Sequence, residues 1–356
     1  MRHNMNGQRL KVNALVSGAE IASALKKMNR TILTMRSVSR MAWAITLSVS
    51  TACIFGQDVA HQDKNYAVSV DVQLVQLPVS VLDKDGRPVN GLRKDDFEVF
   101  EDGVEQEISF FTHDDVPISV GLVIDNSASM HNKRERVNSA ALSFVRESNP
   151  QDETFIVDFD DEAYLDHDFT NSINDLVAAL GPLDTRGETA LYDAVYLSAA
   201  HLDEGKKDKK ALLVITDGED NASKYSREKV MSKLRESKVT VYAIGLLEEN
   251  DSREPFFGKS QSPTRKAKEV LQQFAQATGG RAYFPRSVEE IGALCRSIAR
   301  DLRNQYTIGY TPSNEKVDGT WRRTTVRLNP SKVLSRVTVS AKEGYYAPRT
   351  QDSVQH

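Results

Sequence analysis

The sequence predicts an α/β fold: a doubly wound, mostly parallel sheet flanked by helices, with a small all-β module built from the N- and C-terminal flanks. Three observations carry this. Residues 118–124 and 211–216 are near-continuous apolar runs, as in strands buried on both faces beneath helices. Between residues 117 and 304 such runs alternate with segments whose apolar residues recur at helical spacing. Outside that region the apolar residues alternate with a period of two.

In chain order, residues 66–82 place Val68, Val70, Val72, Leu74, Leu77, Val79 and Val81 at alternate positions. They read as a half-buried strand pair whose apolar face switches near Gln76 and Leu77. Residues 97–100 and 108–111 read as a hairpin around Asp102-Gly103. Further strands are expected over 154–159, 162–169, 239–246 and 282–284, the second more polar and so at an edge. Helices follow from Val137, Ala140, Ala141, Phe144 and Val145, from Leu176, Val177 and Leu180, and across residues 189–202 and 227–237. Another runs through Val270 and Phe274 to Gly279-Gly280, and a last carries Ile291, Leu294, Cys295, Ile298 and Leu302. Residues 248–265 are charged and broken by Pro255, Gly258 and Pro263, which marks a surface loop. Strands at 306–310, 325–328 and 337–339 end the pattern. Neither flank has enough strands to bury a core alone, so the two are expected to pair across the α/β domain.

The domain organisation that results is a basic extension (1–40), an apolar segment (41–56), a linker (57–64), a β segment (65–114), the α/β domain (115–303), a second β segment (304–348) and a tail (349–356). Residues 1–56 hold eight Lys/Arg and one Glu, a charge of +7, whereas the remainder has 38 Lys/Arg against 49 Asp/Glu, or −11. An acidic body argues against a nucleic-acid-binding surface. The basic start followed by residues 41–56 reads as a secretory signal peptide, with Met28 or Met35 as better starts, and places the protein outside the cytoplasm. An uncleaved anchor is the alternative, and Cys53 in Ser-Thr-Ala-Cys is a weaker lipidation candidate because Ser50 stands where a larger aliphatic residue is usual. Cys295, in an apolar helical stripe, reads as a core residue.

Three polar clusters belong to the α/β domain: Asp125, Ser127 and Ser129 after the first strand, Thr189 after a glycine turn, and Asp217 after the run 211–216. If the two strands are neighbours with crossovers running in opposite directions, their clusters meet at the topological switch point. The donors are carboxylate and hydroxyl oxygens, which select Mg²⁺, Ca²⁺ or Mn²⁺ over zinc or copper.

Asp125-Asn-Ser-Ala-Ser, Gly187-Glu-Thr-Ala-Leu and Thr216-Asp-Gly, in that order, resemble the metal-ion-dependent adhesion site (MIDAS) of von Willebrand factor type A domains. The resemblance spans residues 117–303, and the flanking 84–103 and 305–348 resemble the narrower VWFA-related proteins of Acidobacteria type. It implies that Ser127, Ser129 and Thr189 touch the metal while Asp125 and Asp217 hold coordinating waters. The residue before the threonine, usually Gly in the family, is Glu188 here and adds a carboxylate near the rim.

As a bare strand end, Asp125 to Ser129 is also a helix N-cap, but that leaves the other two clusters as coincidence. A Mg²⁺-dependent phosphoryl-transfer enzyme wants a second Asp where Ser127 stands, and neither Gly-x-Ser-x-Gly nor Gly-x-x-x-x-Gly-Lys occurs. Only His131, of the seven histidines, lies beside the clusters. The expectation is an exported, non-enzymatic adhesion module whose cation, Mg²⁺ foremost, coordinates an acidic residue of a partner protein. A hydrolase or an envelope-assembly protein with no metal-dependent binding are the alternatives.

Overall fold

The structure, a computed structural model, describes residues 10–11, 74–181, 185–247, 262–330 and 336–349. The signal segment, Cys53 and the linker lie outside these, as do most of the basic extension, most of the charged loop and most of the tail. Of the extension, Leu10–Lys11 forms a two-residue strand, β1.

The N-terminal flank supplies β2 (Val75–Asp83), β3 (Phe97–Glu101), β4 (Val104–Gln106) and β5 (Ile108–Thr112). The central region then alternates: β6 (Ile118–Asp125), α1 (Arg134–Glu147), β7 (Glu153–Phe159), β8 (Ala163–Thr170), α2 (Ile173–Ala179), α3 (Leu191–His201), β9 (Lys209–Thr216), α4 (Arg227–Glu236), β10 (Val239–Gly245), α5 (Pro263–Thr278), β11 (Ala282–Tyr283) and α6 (Ile291–Arg303). The C-terminal flank adds β12 (Tyr306–Tyr310), β13 (Trp321–Leu328), β14 (Val337–Ala341) and β15 (Gly344–Tyr346).

The central sheet has the order β1-β8-β7-β6-β9-β10-β11. β6 pairs in parallel with β7 on one side and β9 on the other, while β8 runs antiparallel to β7 and pairs on its outer side with β1, which takes the edge expected for residues 162–169. Every residue of β6 is buried. Alternate side chains therefore feed two different cores. Val120, Leu122 and Ile124 face α1 and α6, where they meet Phe144, Ile298 and the fully buried Cys295. Val123, with Phe155 and Val214 of the neighbouring strands, faces α3, α4 and α5. Gly121 is required at its place, because a Cβ there would lie 2.3 Å from the Phe155 ring.

The flanks interleave into two four-stranded antiparallel sheets, β14-β2-β12-β5 and β15-β13-β3-β4. Each mixes strands from both ends of the chain, so neither flank completes a sheet alone. Leu77 and Val79 of β2, Phe97 and Val99 of β3, and Tyr306 and Ile308 of β12 form their shared core.

One expectation for the flanks is corrected. The Asp102-Gly103 turn joins β3 to β4, pairing Glu101 with Val104, and not to residues 108–111. Asp102 and Gly103 both have positive φ, so this two-residue turn fixes the immediate pairing. β5 instead crosses to the other sheet and pairs with β12. In β2, Val75, Leu77, Val79 and Val81 are buried and Leu74 is exposed, while Val68, Val70 and Val72 lie outside the described residues.

One buried polar group joins the flanking sheets to the α/β domain. Asp301 on α6 accepts from Ser80 Oγ of β2 at 2.5 Å and from Tyr242 OH of β10 at 2.8 Å. Burial raises its pKa above the ordinary carboxylate value. The native state therefore holds a proton that the unfolded chain has released, and stability contributed here falls as pH rises from about 4 toward the raised value. Asp301→Asn abolishes that slope. In urea unfolding, the stability of the Asn variant relative to wild type is expected to rise from pH 4 to neutrality, and a pH-independent difference would contradict this.

Candidate metal centre

The carboxyl ends of β6 and β9 lie side by side, with Ile124 opposite Ile215. The next residues, Asp125 and Thr216, are cross-linked: Thr216 Oγ1 donates to Asp125 Oδ2 at 2.5 Å. β7 lies on one side of β6 and β9 on the other, so this is the switch point of the sheet.

From there the polar side chains form a continuous chain. Asp125 Oδ1 accepts from the Ser127 amide at 2.8 Å, which folds the backbone back over the strand end. Ser127 and Ser129 bring their hydroxyl oxygens within 3.1 Å of each other across a single 3₁₀ turn (Ala128–Met130). Ser129 Oγ donates to Asp217 Oδ1 at 2.7 Å, and Lys133 Nζ contacts Asp217 Oδ2 at 2.7 Å. Thr189 is buried, and its hydroxyl lies against Gly218, where a Cβ would stand 3.1 Å from Oγ1. Asp125, Ser127, Ser129 and Asp217 are thus joined by hydrogen bonds, and Thr189 lies against Gly218, the residue after Asp217. Glu188 is exposed on the rim of this crevice, and His131 is held there by Thr185 Oγ1 at 2.9 Å.

Asp125 is fully buried, and burial raises its pKa to about 6 against the lowering effect of hydrogen bonds from Ser127 and Thr216. The Asp217 charge pushes in the same direction as burial. The crevice is therefore a place where negative charge is held at a cost, which a cation relieves. Among the described residues no group of three or more His, Cys, Asp or Glu side chains has metal-holding geometry. Hydroxyls supply the rest of the donors here.

Several residues that sequence reasoning passed over hold these groups in place. Arg134 Nη2 donates to both carboxylate oxygens of Asp158, at 2.7 and 2.6 Å, and Arg134 Nη1 donates to the Asp125 carbonyl at 3.2 Å. This buried pair ties α1 to the ends of β6 and β7 directly below the serines. A lone carboxylate inside the apolar run 154–159 is the sequence signal for it. Gly187 has φ +73°, and a Cβ there would lie 2.6 Å from the Asp161 carboxylate, which accepts from the Glu188 amide at 2.7 Å. Asn221 clamps the threonine: its Oδ1 accepts from the Thr189 amide at 2.7 Å, and its own amide donates to the Thr189 carbonyl at 3.0 Å. Asp220 and Ser223 of the same loop cap the free amides of Tyr192 and Asp193 at the start of α3, each at 3.0 Å. The loop after β9 and the loop before α3 are therefore one interlocked unit.

The sheet and helices are those of a doubly wound α/β domain with hydroxyl and carboxylate groups gathered at its switch point. Residues 120–219 match the von Willebrand factor type A domain, and the mostly parallel sheet flanked by helices is of that type. Solved structures similar to it include the PilB minor pilin from Streptococcus sanguinis, at 12% identity over 53% of this chain and 62% of that one, with a TM-score of 0.42. Proximal thread matrix protein 1 from the mussel byssus is similar at 17% identity, over 57% of this chain and 50% of that one, with a TM-score of 0.44. A von Willebrand factor type A protein from Catenulispora acidiphila is similar at 12% identity, over 80% and 76%, with a TM-score of 0.44. The chain spans less than two thirds of the length of the first two. No curated protein matches it in sequence.

Removing the Asn221 clamp leaves the Thr189 amide without its acceptor, at a cost of about 1–3 kcal/mol for a buried group. Asn221→Ala is expected to accelerate hydrogen exchange at Thr189 while leaving exchange in β6 and β9 unchanged. Wild-type protection at Thr189 in the variant would contradict the clamp.

Proposed function

We propose that this is an exported, non-enzymatic adhesion module that binds a divalent cation in the crevice and, through it, an acidic residue of a partner protein. The observation that carries the reading is the convergence of two buried carboxylates and three hydroxyls on one crevice, with a lysine ammonium already drawn to Asp217. The donor chemistry fits a hard cation: every side chain offered is oxygen, none is imidazole or thiolate, and the hydroxyls add no charge.

Ser127, Ser129 and Thr189 would hold the ion directly, and Asp125 and Asp217 would support it through water. When bound, the cation supplies a concentrated positive charge with a position open to a carboxylate from outside. Mg²⁺ is the ion proposed, with Mn²⁺ or Ca²⁺ as substitutes, because Mg²⁺ sites commonly keep exchangeable ligands. The chain's own part is rigidity. Ser127 is fixed by Asp125, Ser129 by Asp217 and Thr189 by Asn221, so little ordering remains to be done on binding. His131 Nδ1 pairs with Thr185 Oγ1 at 2.9 Å and not with Ser127 or Ser129, so no imidazole activates either serine hydroxyl here.

Export is proposed from the basic and apolar start of the sequence. Among the described residues no helix is long and apolar enough to cross a membrane.

Binding to the folded state alone raises the melting temperature by mass action. Mg²⁺ at one hundred times its dissociation constant is expected to add about 2.7 kcal/mol of stability. Ser127→Ala combined with Ser129→Ala is expected to abolish the shift, measured by differential scanning calorimetry with EDTA as the baseline. A shift of wild-type size in the double variant would refute the assignment.

A further inference from the structure

We propose that Lys133 is an internal counter-cation of the crevice, one that weakens its hold on a divalent metal and strengthens the loaded site's hold on a carboxylate. The inference rests on the metal-binding reading above and concerns which way that site is tuned.

The position of Lys133 is set by the backbone. Its amide donates to the Met130 carbonyl at 2.9 Å, closing the turn that carries Ser129, and its carbonyl accepts from the Val137 amide at 3.0 Å, opening α1. The side chain leaves that junction toward Asp217, where Nζ lies 2.7 Å from Oδ2. The Asp217 side chain is 1% exposed and that of Lys133 17% exposed. Such a pair is poorly screened, unlike ordinary surface ion pairs, and its charges act strongly on whatever else enters the crevice. The other oxygen of Asp217 takes the Ser129 hydroxyl, so the ammonium and a predicted metal-contacting serine share one carboxylate. The neighbouring cation, Arg134, does not duplicate this role, since its guanidinium turns below the site to Asp158.

The consequence follows from charge. With both carboxylates ionised, Asp125, Asp217 and Lys133 sum to −1, where the two carboxylates alone would sum to −2. A divalent cation entering the crevice meets one unit less of negative charge. Once it is bound, the site carries +1 in place of 0. The same ammonium that disfavours the metal therefore favours an acidic ligand on the metal. These effects have opposite signs, and they set Lys133 apart from a residue that merely keeps the loop folded, whose loss weakens both. Coupling between adjacent sites typically changes affinity by about 5- to 150-fold, so tenfold is the scale to expect.

The test uses the whole chain and three proteins: wild type, Lys133→Met, which keeps the length of the side chain without its charge, and Lys133→Arg, which keeps the charge. Mg²⁺ affinity is measured by isothermal titration calorimetry. Acetate affinity of the Mn²⁺-loaded protein is measured by water-proton relaxation. The Met variant is expected to bind Mg²⁺ roughly tenfold more tightly and acetate several-fold more weakly, and the Arg variant is expected to stay close to wild type in both. A Met variant that binds Mg²⁺ when wild type shows no heat also supports the inference, since the ammonium then blocks the site. Unchanged Mg²⁺ affinity in the Met variant, or movement of both affinities in one direction, overturns the role of Lys133 while leaving the metal site standing. Absence of Mg²⁺ and Mn²⁺ binding in all three proteins overturns both readings. Should the Met variant fail to fold by circular dichroism, Lys133→Gln takes its place with the same expectations.

Discussion

The hydrogen bond between Thr216 and Asp125 is the constraint on which the rest of the crevice depends. It joins the last residues of β6 and β9 at the one point where the sheet changes winding direction. Asp125 can be held there, fully buried, only because its two oxygens are taken by the Thr216 hydroxyl and the Ser127 amide. An ionised carboxylate without such partners would shift its pKa further or leave the interior. By accepting the Ser127 amide, Asp125 aims the first serine. The second serine and Asp217 follow through contacts of 3.1 and 2.7 Å. One buried acid thus sets the positions of groups that belong to two separate loops.

A second layer of contacts keeps those loops from moving independently. The loop after β9 caps the start of α3 through Asp220 and Ser223, and Asn221 clamps Thr189, so the site's threonine moves only if the helix start and the loop move together. Beneath the serines, the Arg134–Asp158 pair ties α1 to the strand ends. Away from the crevice, Asp301 links α6 to β10 and to β2 of the flanking sheets. The flanking sheets are therefore bonded into the domain through a buried acid, and are more than appendages on a linker.

Much of this was legible in the sequence, and the reasons are physical. Strands buried on both faces leave unbroken apolar runs, which is why β6 and β9 and the polar residues at their ends stood out. Oxygen donors at alternate positions after such a run identify Ser127 and Ser129 as a set. The pairing of the two flanks followed from the number of strands that a buried core requires. The hairpin partner of β3 was misread because a short polar strand, Val104–Gln106, carries no apolar signal, while Ile108 and Phe111 do. Lys133 and Asn221 were missed for a different reason. Their roles depend on where the side chain points after a turn, and a one-dimensional pattern holds no trace of that. Asp158 left a trace, as a charge inside an apolar strand, that reads as a buried pair only once Arg134 is seen opposite it.

Asp125, Ser127, Ser129, Thr189 and Asp217 together make the proposed cation site. The most direct measurement is anomalous diffraction from crystals of the full chain soaked in Mn²⁺, with EDTA-treated crystals as the control. A single strong peak between the Ser127 and Ser129 hydroxyls, absent after EDTA, is the expected result. A peak elsewhere, or an empty crevice at saturating Mn²⁺, would contradict it.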